Sequence, residues 1–347
     1  MKRRGICVIC VLVLCFFFIT SAFTGTNTHL STIKLEGHPA DSDTENLPES
    51  ISQPNEIVDL IQDTQLHFFF HDGLIRSYYL YVPESYEPGS PTALVIALHA
   101  GGSFALYMSL ITNLSGQADE HSFIIVYPNG VARCNPFWRM WNGGYCCGVA
   151  YERNVDDVGY IRAIIDYLKS HYNIDPTRVY VTGHSNGAIL AYRLAAELSD
   201  LIAAVAPIAG SIGGTASKNS VLYVIPEPTQ PVSIVAFHGM LDENVPYNGG
   251  EANNSWGSGT DLSVNESIAF WVSHNKCYPI PETTISSSGN IIVHQYGGGE
   301  NNTDVVLYTI VNGGHGWPGS QIGDRPTEEI SASELMCDFF MLHSKPT

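Results

Sequence analysis

Positive charge is what this chain has least of. Its 347 residues carry 16 lysines and arginines against 34 aspartates and glutamates, a net charge of −18. Three of those bases, Lys2, Arg3 and Arg4, stand at the very N-terminus. So acidic a chain repels phosphate backbones and anionic headgroups, which argues against nucleic acids and anionic membranes as partners and for solubility outside the cell. Long apolar runs are also missing. The stretch from Ile6 to Ile19 falls short of the ~20 residues that a membrane span needs. With the basic start before it and Thr20-Ser21-Ala22 after it, it reads as a signal peptide over residues 1–22 that is removed on secretion. No internal repeat or coiled-coil heptad is visible, and no Cys-x-x-Cys pair lies beyond the leader, so neither a zinc site nor any other metal or cofactor is expected.

Cysteine itself is sparse. Of eight in all, Cys7, Cys10 and Cys15 leave with the leader, and Cys134, Cys146, Cys147, Cys277 and Cys337 remain. An exported chain is expected to form one or two disulfides, and the odd count leaves at least one cysteine unpaired or joined to another molecule. Residues 23–61 have few large apolar side chains. Pro39, Pro48 and Pro54 punctuate a run rich in acids, which predicts a disordered spacer. Residues 62–347 are enough for one large α/β domain.

Within that domain the pattern alternates. A hairpin is expected over 65–70 and 75–82, then unbroken apolar strands at 93–98 and 123–127, of the kind buried on both faces of a parallel sheet. A helix follows from about Val158 to His171, expected to be capped by Asp157. Further strands are expected at 178–182, 202–208, 232–237, 291–296 and 305–310, with helices at 265–274 and 331–343. Strands alternating with helices predict a mostly parallel, doubly wound sheet, with ligands held beyond the strands' carboxyl ends.

At one such end stand Gly183-His184-Ser185-Asn186-Gly187, between the strand Arg178–Thr182 and a helix-forming run from Ala188. A G-x-S-x-G between strand and helix is the nucleophile elbow of an α/β-hydrolase, and its glycines permit a turn tight enough to expose the Ser185 hydroxyl. Chain order in this fold is serine, acid, histidine. His274 and His343 fall in helices and His294 in a strand, whereas His315 sits in a glycine-rich loop that can reach back over the sheet. His315 is therefore the expected general base. Asp242, just past a buried strand, is the expected acid, ahead of its neighbour Glu243. The oxyanion donors should be the N–H of Asn186 and one from Leu98 to Ser103, with Gly101 preferred. The long segment from Asn129 to Asn154 leaves a strand's carboxyl end. Its Trp138, Trp141 and Tyr145, together with Trp317 and His184, are the candidates for substrate contact, set against a buried mini-core.

With these residues in place, the chain resembles the secreted feruloyl esterase and polyhydroxybutyrate depolymerase-like group of α/β-hydrolases. The resemblance rests on Trp141 to Gly148, Val155 to Ile161, the elbow, His238-Gly239 with Asp242 and Val245 to Tyr247, Phe270 to Val272 with Cys277, and His315 to Gly319. It implies a secreted, cofactor-free serine esterase with Ser185, Asp242 and His315 as its triad. The expected substrate is a small or polymer-linked ester: hydroxycinnamoyl esters of polysaccharide first, a short-chain hydroxyalkanoate polyester second. The group usually has glycine where Ala100 stands, which leaves the donor in that loop open. A disulfide from Cys277 to Cys146 or Cys147 is expected to staple the aromatic segment, with Cys337 a buried free thiol.

Overall fold

The computed structural model describes residues 64–251 and 259–346. The expected leader (1–22) and spacer (23–61) lie outside them. Ten strands form the main sheet: β1 (Gln65–His71), β2 (Leu74–Tyr81), β3 (Thr92–Leu98), β4 (Ile124–Pro128), β5 (Ile174–His184), β6 (Ala204–Ile208), β7 (Ser233–Gly239), β8 (Glu282–Ile285), β9 (Ile291–Tyr296) and β10 (Val305–Ile310). Their spatial order is β1-β2-β4-β3-β5-β6-β7-β10-β9-β8. From β4 to β10 every pairing is parallel, while β1, β2, β9 and β8 add antiparallel edges. This is the α/β-hydrolase architecture.

The two-residue period of a strand explains how the sheet is held. Along β3, Leu94, Ile96 and Leu98 enter one core, and Ala93, Val95 and Ala97 enter the core on the opposite face. Helices cover both faces: α1 (Ala105–Thr112), α2 (Leu114–His121), α3 (Gly148–Glu152), α4 (Asp157–His171), α5 (Asn186–Glu197), α6 (Val264–His274) and α7 (Ala332–Leu342). Helix α4 buries Ile161, Ile164, Ile165 and Leu168 on one stripe, as its spacing predicts.

Two local expectations are corrected. Asp157 does not cap α4. Asp156 does, accepting from the Gly159 N–H at 2.8 Å, while Asp157 is fully buried and takes the Arg76 guanidinium at 2.7 Å. Nor does a disulfide reach Cys277. Cys146 bonds to its neighbour Cys147, and Cys134, Cys277 and Cys337 are free thiols, the last two buried.

Candidate active site

Strand β5 ends at His184 and helix α5 begins at Asn186, which leaves a single residue, Ser185, to reverse the chain. It does so at φ 57° and ψ −120°, a conformation strained for a side chain with a Cβ. Close packing on both sides enforces it. A Cβ on Gly183 would lie 2.5 Å from the Gly187 carbonyl, and one on Gly187 would lie 2.4 Å from the Leu98 carbonyl oxygen. Only glycine permits this approach of elbow to β3.

The glycine-rich loop after β10 brings His315 to the elbow. Its Nε2 is 2.8 Å from Ser185 Oγ and its Nδ1 is 2.7 Å from Asp242 Oδ2. The other Asp242 oxygen accepts from the Asn244 and Val245 N–H groups at 2.8 and 2.9 Å. Burial would raise the Asp242 pKa, but hydrogen bonds from His238 and His315 and their charge outweigh it and hold the carboxyl well below its usual range. An ionised Asp242 keeps the His315 proton on Nδ1 and leaves Nε2 to accept from the serine. Glu243 is exposed on the surface.

His184 packs behind this pair. Its Nε2 lies 3.0 Å from the His315 carbonyl oxygen, and its ring centroid is 5.0 Å from that of His315. Burial, with the neighbouring His315 charge, lowers its pKa to about 3, so it is neutral and donates from Nε2. His184 thus positions the catalytic loop and does not line the cavity.

A cavity of about 460 Å³ opens beside Ser185 and His315. Ala100, Gly101 and Asn186 line it at the elbow, while Met140, Tyr145, the Cys146–Cys147 disulfide and Ile189 form walls. The Gly102 N–H is committed to the Arg139 carbonyl at 2.9 Å, which removes it as an oxyanion donor. Asn186 opens α5, so its N–H belongs to the positive end of that helix dipole. The Asn186 side chain meanwhile accepts from the Trp141 N–H at 2.8 Å and donates to the Trp141 carbonyl at 3.0 Å, locking the aromatic segment against the elbow. On the oxyanion loop, His99 accepts the Gly130 N–H on Nε2 at 2.9 Å and so donates from Nδ1 to the Ala100 carbonyl at 2.8 Å.

The five expected substrate contacts divide. Tyr145 lines the cavity. Trp141 and Trp317 do not: both are fully buried, with indole N–H groups donated to the His99 carbonyl at 2.9 Å and to Ser333 Oγ at 3.1 Å. Trp138 is half exposed and lies off the cavity, and His184 stands behind the histidine. The mini-core reading thus wins for Trp141 and Trp317, because each of their indoles has a backbone or hydroxyl partner inside the fold. Sequence reasoning named His238 but gave it no role; its Nε2 lies 3.3 Å from Asp242 Oδ2. The signal was available: a histidine near the end of strand β7, four residues before the acid. Sequence reasoning missed Tyr151 and Asp261, which line the cavity from short elements without periodicity.

Residues 76–244 match the protein-family model described as Esterase PHB depolymerase. A bifunctional acetylxylan esterase/xylanase of Neocallimastix patriciarum is 30% identical over 175 residues, which are 50% of this chain and 22% of that protein. Feruloyl esterase B of Piromyces equi is 30% identical over 193 residues, 55% of this chain and 33% of its own length. The chain therefore spans about a third or less of the length of these curated relatives. Among solved structures, an acetyl xylan esterase from Aspergillus awamori aligns with a TM-score of 0.50 at 15% identity, over 72% of this chain and 94% of that one, a likeness of fold alone. The chain has the α/β-hydrolase fold and is similar in sequence to the esterase and polyhydroxybutyrate depolymerase family.

Proposed function

We propose that this chain is a secreted serine hydrolase of carboxylic esters. The observation that carries the reading is the unbroken line from Ser185 Oγ through His315 to the buried Asp242, opening on a cavity. In this reading His315 Nε2 takes the hydroxyl proton as Ser185 Oγ attacks the ester carbonyl. The Asn186 and Gly101 N–H groups face the developing oxyanion, and Asp242 steadies the imidazolium. His315 then returns the proton to the leaving alcohol, and water cleaves the acyl-enzyme by the same route. Hydrolysis of p-nitrophenyl acetate by the wild type, lost in Ser185→Ala, is the expected result. Casein cleavage without ester cleavage would replace the reading with a peptidase.

The preferred substrate is a hydroxycinnamoyl ester of a polysaccharide. Support comes from a cavity within the range of small-molecule sites, walled by Tyr145 and Tyr151, and from one relative named a feruloyl esterase and another named an acetylxylan esterase. A polyester depolymerase is the second reading, favoured by one observation. Strands β1 and β2 expose Leu66, Phe68, Phe70 and Ile75, an apolar edge of the kind that settles on solid polymer. The ratio of kcat/KM for methyl ferulate to that for a hydroxybutyrate oligomer decides between them. A ratio below one, or clearing of a polymer suspension, would favour the polyester.

A further inference from the structure

Resting on the esterase reading, we infer that Asp261, braced by Tyr145, determines specificity by accepting a hydrogen bond from a hydroxyl on the alcohol half of the substrate, so that esters of polyols are preferred.

Four observations converge. Asp261 and Tyr145 line the same cavity as Ser185 and His315, yet the chemistry described above uses neither. The Tyr145 hydroxyl donates to Asp261 Oδ1 at 2.5 Å, and among the described residues Oδ2 has no hydrogen-bond partner and Asp261 no ion pair. The position is held on both sides, because Thr260 and Asp261 pair on one side with Gly250 and Glu251 and on the other with Gly214 and Thr215. Finally, the described residues lining the cavity include the acids Glu152 and Asp261 but no lysine or arginine.

A carboxylate desolvated without a cation is costly, so a fold without use for it would gain by replacing it. Burial raises its pKa to about 6, with the Tyr145 hydrogen bond and the charges of His238 and His315 opposing and that of Asp242 reinforcing the shift. Asp261 and His315 line this one cavity. The leaving alcohol must lie there too, since His315 protonates it. A hydroxyl can accept from the acid but is held more tightly when it donates to the carboxylate, because that hydrogen bond is charge-assisted. An ammonium requires the charged form alone, and a carboxylate-bearing alcohol would be repelled.

The test uses two esters of one acid, an acetylated methyl xyloside and ethyl acetate. Asp261→Asn should lower kcat/KM for the xyloside by roughly tenfold or more, chiefly through KM, and leave ethyl acetate within about twofold. In the wild type the ratio of the two values should rise with pH through about 6 and be flat in the variant; titration of the triad is common to both substrates and cancels. Tyr145→Phe, which keeps the carboxylate but loosens it, should fall between. Equal loss on both esters would assign Asp261 a structural role and overturn the inference. So would no loss on either, or a wild-type preference for acetylcholine over the xyloside. Wild-type inactivity on both esters would instead overturn the esterase reading beneath it.

Discussion

Ser185 pays for its exposure in backbone strain, held by packing that only Gly183 and Gly187 permit. Its partners act as a unit. Ser185→Ala and His315→Ala should each abolish ester hydrolysis in a folded protein, and the double variant should be no slower than either, as measured by kcat on p-nitrophenyl acetate. A much slower double variant would separate His315 from Ser185. Asp242→Asn should cost about 10⁴ in kcat by favouring the wrong tautomer of His315. Retained activity there, with loss in Glu243→Gln, would move the acid. Asp242 also links activity to stability. Its folded-state pKa is depressed, so it contributes stability that is complete above the ordinary carboxylate value and lost as pH falls through the folded one. Between pH 6 and pH 3 the wild type should therefore lose more Tm than Asp242→Asn does. Equal slopes would contradict the depressed pKa.

Among the elements, the join between β2 and α4 governs the cavity wall. Arg76 on β2 reaches Asp157 at the start of α4 at 2.7 Å, and the other Asp157 oxygen accepts the Asn142 N–H at 2.7 Å, anchoring the segment that carries Tyr145 and the disulfide. Burial raises the Asp157 pKa against the pull of Arg76. Both side chains are almost wholly buried, so removing one strands the other's charge. Asp157→Ala should cost about 3–5 kcal/mol in denaturant unfolding, and Arg76→Met with Asp157→Leu should cost less than the single change. A double variant weaker than the single one would show that the pair is net stabilising. This join was not legible in sequence. Asp156 and Asp157 are chemically identical neighbours, and which one caps depends on helix phase, which no single-chain pattern fixes to one residue. Helices α1 and α2 were missed for a similar reason. Each has eight residues, and Asn113 between them adopts the left-handed conformation at φ 51°, so neither shows a sustained period. The elbow and the sheet strands other than β8 were legible because their signals are local, apolar or alternating runs and glycines at fixed offsets; β8, four exposed residues at the sheet edge, carries no such run and was missed.

At the scale of the whole molecule, the one disulfide among the described residues does little to hold the fold. The expected staple from Cys277 would have closed a loop of more than a hundred residues, the case in which cross-linking restricts the unfolded chain most. That expectation followed from export and a long segment, but the segment is held without it: by the Asn186 bonds to Trp141, the Trp141 indole on His99, and Asn142 on Asp157. The disulfide joins residues one apart in sequence and so removes little entropy from the unfolded chain. Stability must come instead from the two cores on either face of the sheet, in one of which Cys337 sits as an ordinary buried apolar side chain, its thiol pKa pushed up by burial. The effects of reduction should therefore be local. Treatment with a dithiol should shift Tm by no more than about 2 °C, since the cross-link adds little to chain entropy. The same treatment should alter kcat/KM on esters, because both sulfurs belong to residues lining the cavity beside Ser185. Peptide mapping without reduction should recover Cys146 joined to Cys147 and Cys277 alkylated as a free thiol. A large fall in Tm on reduction, or a peptide linking Cys277 to either neighbour, would restore the staple and overturn this account of what holds the cavity wall.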